Sequence, residues 1–323
     1  MPVSTQQRIA TLTANPALDA STAVPRIAPD RKLRCTEPLR EPGRGGINVA
    51  RAICRLHGDA IACFPAGGPT GEALVSLLEA EGVPRRVVRV HGSTRENVHV
   101  VESATGRQYR FCMPGAMLAE AECKTLFDDF IDLTPELAVL SGSLPYGVPA
   151  DFYARATGVL HQRGARVVAD TSGDALLRCA GQGAFLIKAS MHEFETLVSA
   201  TDLDEVDVGK LALRAVADGL CEVLVVSLGA GGVLWTTNTE QGRLDAPPVM
   251  VRSTVGAGDS MVAGIVLTLA RGGGLADAMR FGVAAGSAAV MQSGTALCRP
   301  DDVERLLSQV AQVPVEQPLL RAS

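Results

Sequence analysis

The sequence has few aromatic side chains, which make up only 4% of its 323 residues. Proteins that bind single-stranded nucleic acids stack the bases on such rings, so the composition disfavours this class of function. Charge is not concentrated either, because 30 basic residues are scattered among 35 acidic ones and the net charge is −5. Nothing therefore indicates a polyanionic partner, and we expect no nucleic-acid binding.

Long apolar runs and clustered cysteines are also missing. The longest uncharged apolar segment, near residues 261–270, is too short to cross a bilayer, and the N-terminus lacks a basic start followed by an apolar stretch. The eight cysteines form neither a CxxC pair nor a Cys/His cluster, which argues against a zinc site or a disulfide framework. We expect a cytoplasmic protein that does not bind membranes.

The sequence does contain an alternation of short apolar runs and segments with helical periodicity. Apolar runs such as Arg8–Thr13 and Val223–Ser227 alternate with amphipathic segments such as Ile47–His57. This pattern is typical of a mostly parallel sheet covered by helices. The other predicted strands are 60–66, 137–141, 166–170 and 185–188, and the other predicted helices are 71–81, 260–270, 275–291 and 301–310. After Asp259 we expect a helical layer with no strand between its helices.

Two stretches, 20–42 and 86–113, depart from this spacing. They contain short extended patterns separated by turn residues such as Ala104-Thr105-Gly106. The strands predicted in them are Lys32–Thr36, Val87–Val90, Asn97–Glu102 and Gln108–Cys112. We interpret them as a small second sheet, a lid whose exposed face a ligand or a second copy of the chain covers; ordinary surface hairpins are the alternative. Residues 1–312 then form one domain with this lid, and 313–323 form a C-terminal tail.

The most specific motif is Thr254-Val-Gly-Ala-Gly-Asp259, which opens a predicted helix. It follows the first strand too late for a dinucleotide fingerprint, and no G-K-[ST] follows it as in a Walker A loop. Gly256 and Gly258 allow a ligand to approach closely, and the amides at the helix start, including that of Ala257, favour an anion. Asp259 is then a candidate base for phosphoryl transfer, which we expect to stay ionised because of the helix dipole. A purely structural role in the first helical turn is the alternative.

A second glycine-rich turn, Gly43-Arg44-Gly45-Gly46-Ile47-Asn48, opens an amphipathic helix. Its glycines leave room for a sugar against the backbone, and the amide of Asn48 can both donate to and accept from a hydroxyl group. A flexible loop with a helix cap is the alternative. Asp19 lies just beyond the C-terminal end of the first predicted strand, where open α/β sheets bind ligands.

These motifs, together with Asn15-Pro-Ala-Leu-Asp19 and Ser141-Gly-Ser143-Leu-Pro, resemble the ribokinase-like (PfkB) family of carbohydrate kinases, from about residue 8 to residue 311. The resemblance implies a three-layer α/β ribokinase-like fold, in which helices flank a mostly parallel sheet and a small β-sheet forms a lid. It also implies ATP and a phosphosugar as substrates, Mg²⁺ with the nucleotide, K⁺ as a further ion, and a homodimer formed through the lid.

Within the family the sequence resembles most the branch that phosphorylates the 1-hydroxyl of fructose 6-phosphate. Segments such as Lys32-Leu-Arg34-Cys-Thr36 and Gln108-Tyr-Arg-Phe-Cys-Met-Pro-Gly115 carry this closer likeness. Kinases acting on tagatose 6-phosphate or fructose 1-phosphate are the nearest alternatives. A sugar-phosphate or nucleotide sensor without catalysis is the alternative of another class.

The resemblance also implies roles for individual residues. Asp259 corresponds to the catalytic base, and the amides of Gly256, Ala257 and Gly258 correspond to an anion hole. The residues implied in binding the phosphosugar are Asp19, Lys32, Arg34, Gly45, Gly46, Asn48, Ser143 and Arg95, the last reaching across from a partner's lid. The residues implied in binding the nucleotide are Lys188, Ser190, Glu193, Ser227, Gly229 and Ser287. Glu193 is also implied to hold the metal through water.

The chain departs from the family pattern at two places. Relatives have Lys-Pro-Asn-x-x-Glu where this chain has Lys188-Ala-Ser190-Met-His-Glu193, so a short hydroxyl group replaces an amide that can reach a phosphate. We expect weaker binding of the nucleotide or of Mg²⁺ rather than loss of activity. Arg44 stands where relatives of the same branch have glycine, which leaves the position of the substrate phosphate open.

Overall fold

The computed structural model describes residues 6–201 and 203–313. Its strands and helices follow one another in this order: β1 (Ile9–Leu12), β2 (Ala17–Val24), β3 (Leu39–Gly43), α1 (Gly46–Arg55), β4 (Ile61–Ala66), α2 (Gly68–Ala80), β5 (Arg85–Arg89), β6 (Arg95–Glu102), β7 (Gln108–Phe111), α3 (Glu120–Ile131), β8 (Leu137–Ser141), α4 (Phe152–Gln162), β9 (Arg166–Asp170), α5 (Gly173–Cys179), β10 (Leu186–Ser190), α6 (Met191–Val198), α7 (Glu205–Ala217), β11 (Val223–Ser227), β12 (Val233–Thr236), β13 (Gln241–Asp245), α8 (Ala257–Ala270), α9 (Leu275–Val290), α10 (Pro300–Leu307) and β14 (Ala311–Val313).

A large sheet forms the centre of the described chain, with the strand order β14-β13-β12-β11-β10-β9-β8-β1-β4-β5. The strands from β11 to β5 in this order are parallel, which confirms the predicted mostly parallel sheet. They are short and consist largely of Val, Leu, Ile and Ala because helices cover both faces. The open edge is an antiparallel meander of β12, β13 and β14.

Two layers of helices enclose this sheet. On one face, α1, α2, α8, α9 and α10 pack over buried residues such as Ile53 and Leu74. On the other face, α3 to α7 pack around side chains such as Phe130 and Phe194. The three helices predicted after Asp259 are confirmed as α8, α9 and α10. No helix in the described ranges is long and apolar enough to span a membrane.

The antiparallel edge is not predicted from the sequence. Strand β13 reads Gln-Gly-Arg-Leu-Asp and has little β propensity of its own, and β14 has only three residues. Both are strands because they extend a ladder that β12 begins. Val313, the first residue of the predicted tail, pairs with Arg243 in this ladder, whereas the rest of that tail lies outside the described residues.

A separate four-stranded sheet, with the order β3-β2-β6-β7, forms the predicted lid. Its central strands β2 and β6 are parallel, and β3 and β7 pair antiparallel with them at the edges. The predicted lid strand Val87–Val90 is wrong, because most of it belongs to β5, which pairs with β4 in the large sheet. This segment follows α2 as the last strand of a β-α-β unit, and such crossovers return the chain to the same sheet.

The predicted strand Lys32–Thr36 is wrong as well, because this segment is an exposed loop. Thr36 uses its side chain where a strand would use its backbone: its hydroxyl accepts from the amide of Ala23 at 3.0 Å, while its own amide donates to the Ala23 carbonyl at 2.9 Å. Pro38 follows and has no amide hydrogen to donate, so regular pairing starts only at β3. The lid therefore consists of residues 17–24, 39–43, 95–102 and 108–111.

Candidate active site

The predicted anion site lies at the N-terminus of α8. Gly256 is the N-cap residue and has a φ of 77°, a left-handed conformation that glycine adopts readily. The first amides of α8 have no partner within the helix, so they point out of its end. Lys188 lies directly over this turn, because a Cβ atom on Gly258 would be 3.0 Å from its Nζ. Backbone donors, the helix dipole and an ammonium group thus face the same space, which suits an anion.

Asp259 stands in the first turn of α8 and is partly exposed to solvent. Asn48 Nδ2 donates a hydrogen bond of 2.8 Å to its Oδ2. Burial, and after it the negative charge of Asp170, raises the pKa of Asp259 to about 6 even though the hydrogen bond from Asn48 lowers it. We expected the helix dipole to set the charge state of Asp259, but burial has the larger effect on its pKa. The carboxyl group is still mainly ionised at neutral pH.

A buried arginine holds Asn48 in place. Arg51 is 1% exposed and donates from Nη1 to Asn48 Oδ1 at 3.3 Å and to the carbonyl of Pro42 at 2.5 Å. Its Nε and Nη2 form a two-point ion pair with Glu81, the C-cap residue of α2, at 2.8 and 2.6 Å. Since Oδ1 of Asn48 accepts from Arg51, its Nδ2 faces Asp259. Arg51 is not a predicted site residue; an arginine on the apolar face of an amphipathic helix is the signal that points to it.

Lys188 in β10 forms an ion pair with Asp170 at the end of β9, with Nζ 2.9 Å from Oδ1. Burial alone would lower the pKa of Lys188, but the charge and the hydrogen bond of Asp170, together with the charges of Glu193 and Asp259, outweigh burial and raise that pKa, so the lysine remains a cation. The hydroxyl of Ser141 also donates to Asp170, at 3.3 Å. Asp170 is not predicted either. Its signal is its position as the last residue of a predicted strand, at the carboxyl edge of the sheet.

Residues predicted to bind the nucleotide lie at the carboxyl ends of β10, the strand of Lys188, and of the neighbouring strand β11. Ser190 at the end of β10 pairs in register with Ser227 at the end of β11. Gly229 follows in a short 3₁₀ turn with a φ of 61°. Ser287 is buried on α9, whose adjacent residue packs against the first turn of α8.

Ser190 and Glu193 form a capping box at the start of α6. The hydroxyl of Ser190 accepts from the amide of Glu193 at 3.4 Å, and Oε2 of Glu193 accepts from the amide and the hydroxyl of Ser190 at 2.7 and 2.8 Å. Serine thus keeps the helix cap that asparagine would also provide. Oε1 of Glu193 has no hydrogen-bond partner among residues 6–201 and 203–313, so it remains available to a metal-bound water.

Asp19 lies in β2 of the lid and is fully buried. Its Oδ1 accepts from Asn97 Nδ2 at 2.8 Å and from Arg44 Nε at 3.3 Å. Burial tends to raise its pKa, but the nearby His99, the charge of Arg44 and the hydrogen bond from Asn97 together outweigh burial and lower it. Its Oδ2 has no hydrogen-bond partner in the described part of the chain. Because a buried acceptor without a partner is costly, Oδ2 is a candidate to receive a ligand hydroxyl.

The glycine-rich turn leaves space at this free oxygen. A Cβ atom on Gly43 would lie 2.7 Å from Oδ2 of Asp19 and 3.6 Å from Oδ1 of Asn48, so the carboxylate and the amide lie on either side of that glycine. Gly45 and Gly46 pack the start of α1 against the ends of β8 and β1, since a Cβ atom on Gly45 would collide with the carbonyl oxygen of Ser141 and one on Gly46 would lie 3.0 Å from that of Leu12. The structure thus brings together four of the residues predicted to bind the sugar.

The other predicted sugar residues are less concentrated. Ser143 lies in the loop after β8, and its hydroxyl accepts from Asn15 Nδ2 at 3.2 Å. Lys32 and Arg34 lie in the exposed loop before β3. Arg95 is bound to its own chain, because its three guanidinium nitrogens donate to backbone carbonyls at 2.9 to 3.4 Å.

Strand β7 joins the lid to the segment that precedes the anion turn. Gln108 Nε2 donates to the carbonyl of Arg252 at 2.7 Å, and Arg110 Nη2 donates to the hydroxyl of Thr254 at 2.8 Å. A cavity of about 140 Å³ remains between the lid and this segment. These hydrogen bonds hold the lid against the segment that precedes α8.

Comparison with known proteins yields consistent matches over most of the chain. A sequence model of pfkB family carbohydrate kinases matches residues 13–302. The chain is 45% identical to ATP-dependent 6-phosphofructokinase isozyme 2 of Escherichia coli (strain K12), with 94% of this chain and 99% of that protein covered. It is 44% identical to the protein of the same name from Mycobacterium tuberculosis (strain ATCC 25618 / H37Rv), with 94% and 90% covered. It is 32% identical to 1-phosphofructokinase of Bacillus subtilis (strain 168), with 94% and 98% covered.

Solved structures with a similar fold come from the same family of proteins. The crystal structure of phosphofructokinase-2 from Escherichia coli in complex with fructose-6-phosphate superimposes with a TM-score of 0.89 at 44% identity, covering 94% of this chain and 99% of that one. The structure of the same enzyme in complex with potassium has a TM-score of 0.90 at 45% identity, with the same coverage. The structure of its tetrameric inhibited form has a TM-score of 0.89 at 44% identity, again with 94% and 99% covered.

Proposed function

The chain belongs to the pfkB family of carbohydrate kinases, and from this membership we propose that it transfers a phosphoryl group from ATP to the 1-hydroxyl of fructose 6-phosphate. The observation that carries this proposal is the convergence on one site of an anion-binding helix start, a base and a buried carboxylate with a free acceptor: Gly256–Gly258, Asp259 and Asp19. The product would be fructose 1,6-bisphosphate, formed in the cytoplasm.

The named groups account for each part of the transfer. Oδ2 of Asp19 and the amide of Asn48 hold hydroxyl groups of the sugar, while the carboxylate of Asp259 accepts the proton of the 1-hydroxyl. The oxygen then attacks the γ-phosphorus, and the bond to the β-phosphate oxygen breaks to release ADP. The amides at the start of α8 and the ammonium group of Lys188 stabilise the charge on the transferring group.

The nucleotide would lie over Lys188, Ser190, Ser227 and Gly229, with Ser287 near its base. Mg²⁺ would be held by Oε1 of Glu193 through water and would neutralise phosphate charge when bound. Since a relative's structure contains potassium, we extend to this chain the proposal that K⁺ also binds.

The comparisons favour fructose 6-phosphate over the related sugars. Proteins named 6-phosphofructokinase are 44–45% identical to this chain, whereas a protein named 1-phosphofructokinase is 32% identical. Tagatose 6-phosphate and fructose 1-phosphate remain the substrates to compare with it. The ratio of kcat/KM for the three sugars would decide between them.

We also propose that the lid forms a homodimer. The face of β6 and β7 opposite Asp19 carries Val98 and Val100 beside Tyr109 and Phe111, which pair across the two strands. Phe111 is 50% exposed. A sheet edge and an apolar face of this kind favour association with a second copy of the chain.

The activity is tested with purified protein, ATP and fructose 6-phosphate in an assay that couples ADP release to a visible signal. The wild-type protein is expected to turn over, and Asp259→Asn is expected to lower kcat by about a hundredfold to ten-thousandfold because it removes the general base. Binding of fructose 6-phosphate, measured by calorimetry, should change far less. No turnover with any of the three phosphohexoses would contradict the proposal and favour a sensor, as would full function of the Asp259→Asn variant.

A further inference from the structure

Arg44 adopts a backbone conformation that suits glycine and not arginine. Its φ is 88°, well inside the left-handed region. A non-glycine residue in this conformation destabilises the folded state, and such backbone strain is found mostly at functional sites. The two neighbours of Arg44 in the turn are glycines, Gly43 and Gly45, so the conformation places the guanidinium group of Arg44 where a glycine would leave an open space.

The guanidinium group of Arg44 lies inside the sugar site. Its Nε is 3.3 Å from Oδ1 of Asp19, its Nη2 is 3.1 Å from Nε2 of His99, and the same Nη2 is 3.9 Å from the sulfur of Cys112. Nη1 has no hydrogen-bond partner within the described ranges. The two N–H groups of Nη1, on a side chain that is 27% exposed, are thus available to a ligand.

The neighbouring cations are used differently. All three nitrogens of the Arg95 guanidinium donate to backbone carbonyls of its own chain. Lys32 and Arg34 lie in the exposed loop before β3. The positive charge of Arg44, in contrast, lowers the pKa of both Asp19 and Asp259. Arg44 is therefore a cation whose charge acts on both carboxylates of the site.

We propose that Arg44 binds the phosphate group that the sugar substrate already carries and thereby adds to the preference of the site for phosphorylated over free sugar. A charged guanidinium nitrogen with free N–H groups donates strong hydrogen bonds to the oxygen atoms of a phosphate. The assignment is to the sugar's own phosphate because Lys188 already faces the anion turn, where the proposed reaction places the transferring group. This inference rests on the proposed function in that it takes a phosphosugar as the substrate.

Arg44→Gly is the direct test, and the structure predicts that this variant folds. Glycine adopts a φ of 88° without a clash, so the melting temperature should stay equal or rise. The KM for fructose 6-phosphate should rise about tenfold to a hundredfold, the effect of losing hydrogen bonds to a charged group. The KM for ATP and for free fructose should change less than about twofold. Arg44→Lys, which keeps the charge without the planar fork, should fall between the two.

Arg40→Ala is the matched control, because Arg40 lies four residues earlier in β3 and forms an ion pair with Glu96 outside the site. It should leave all three KM values unchanged. An unchanged or lower KM for fructose 6-phosphate in Arg44→Gly would overturn the inference. Equal increases for free fructose and fructose 6-phosphate would overturn it as well, because Arg44 would then act through Asp19 alone.

A second measurement separates this inference from the proposed function. Fructose 6-phosphate should raise the melting temperature of the wild-type protein more than free fructose does, and Arg44→Gly should reduce that difference. This readout needs no turnover. A wild-type protein that is inactive but shows the difference would contradict the proposed reaction and support the role of Arg44. The same stabilisation of wild type and Arg44→Gly by fructose 6-phosphate would overturn that role.

Discussion

At the scale of single residues, the charge state of Asp259 should determine how the activity depends on pH. Its pKa is raised to about 6, mainly by burial and then by Asp170. Because the ionised form is the base, kcat/KM should be constant above about pH 7 and should fall as pH drops through 6, by about tenfold at pH 5. Rates measured from pH 5 to 9 with fructose 6-phosphate would show this midpoint.

Asn48→Ala provides the internal check on this assignment. The hydrogen bond from Asn48 lowers the pKa of Asp259, so its removal should move the midpoint of the pH profile to a higher pH. Weaker sugar binding in the variant would change the height of the profile but not its midpoint. A midpoint that stays at the wild-type value would mean that another group controls the profile.

Residue types and spacing predict part of the site but not its partners. Asp259 and Asn48 can be identified in the sequence because each follows a glycine-rich turn that opens a helix. The Lys188–Asp170 ion pair cannot be predicted from the sequence in this way, because it joins two strands that are known to be neighbours only once the strand order of the sheet is known. The position of the Arg44 side chain depends on the backbone conformation at Arg44, which a sequence does not show.

At the scale of elements, the position of Asn48 depends on how α1 is tied to α2. Arg51 makes this tie through Glu81, and it also fixes the amide of Asn48. Arg51→Lys should lower the melting temperature by several degrees, because lysine cannot satisfy both oxygens of Glu81 and the carbonyl of Pro42 at once. It should also lower kcat and raise the midpoint of the pH profile, since a released Asn48 amide no longer favours the Asp259 carboxylate.

Arg55→Lys is the control for this effect. Arg55 approaches the same Glu81 at 3.7 Å, but its side chain is 33% exposed and makes no described contact with Asn48. Its replacement should leave the pH midpoint unchanged and the melting temperature close to that of the wild type. Calorimetry and pH profiles of the two variants would separate positioning of Asn48 from general stability. A wild-type midpoint in Arg51→Lys would show that Arg51 is structural only.

The elements themselves were predictable to the extent that their patterns are local. The parallel strands β1, β4 and β8 to β11 follow from their periodicity, and so do α1, α2 and the three helices after Asp259, whereas α3 to α7 were not predicted. The assignment of Val87–Val90 to the lid fails because two strands of the same character can join different sheets, and only the crossover after α2 decides which. Lys32–Thr36 fails because a threonine side chain takes the place of a backbone partner.

At the scale of the whole molecule, the lid has two faces with different uses. Its inner face carries Asp19 and His99 toward the site and is fastened to the segment before α8 by Gln108 and Arg110. Its outer face carries partly exposed apolar side chains, including Phe111. Because Asp19 lies in β2 of the lid, a contact that stabilises the lid should also hold Asp19 in position to bind the sugar.

The outer face should therefore link oligomeric state to activity. Phe111→Asp places a charge in the proposed dimer contact and should convert a dimer to monomers in light-scattering or sedimentation measurements. The KM for fructose 6-phosphate should rise in the monomer, because the strand that carries Asp19 loses its support, while the KM for ATP should change little. Met250→Asp is the matched control, since Met250 is 77% exposed but lies outside the lid. A wild-type protein that is monomeric would contradict the proposal that the lid is the interface, and so would a Phe111→Asp variant that stays dimeric. Equal disruption of the dimer by Met250→Asp would place the interface elsewhere.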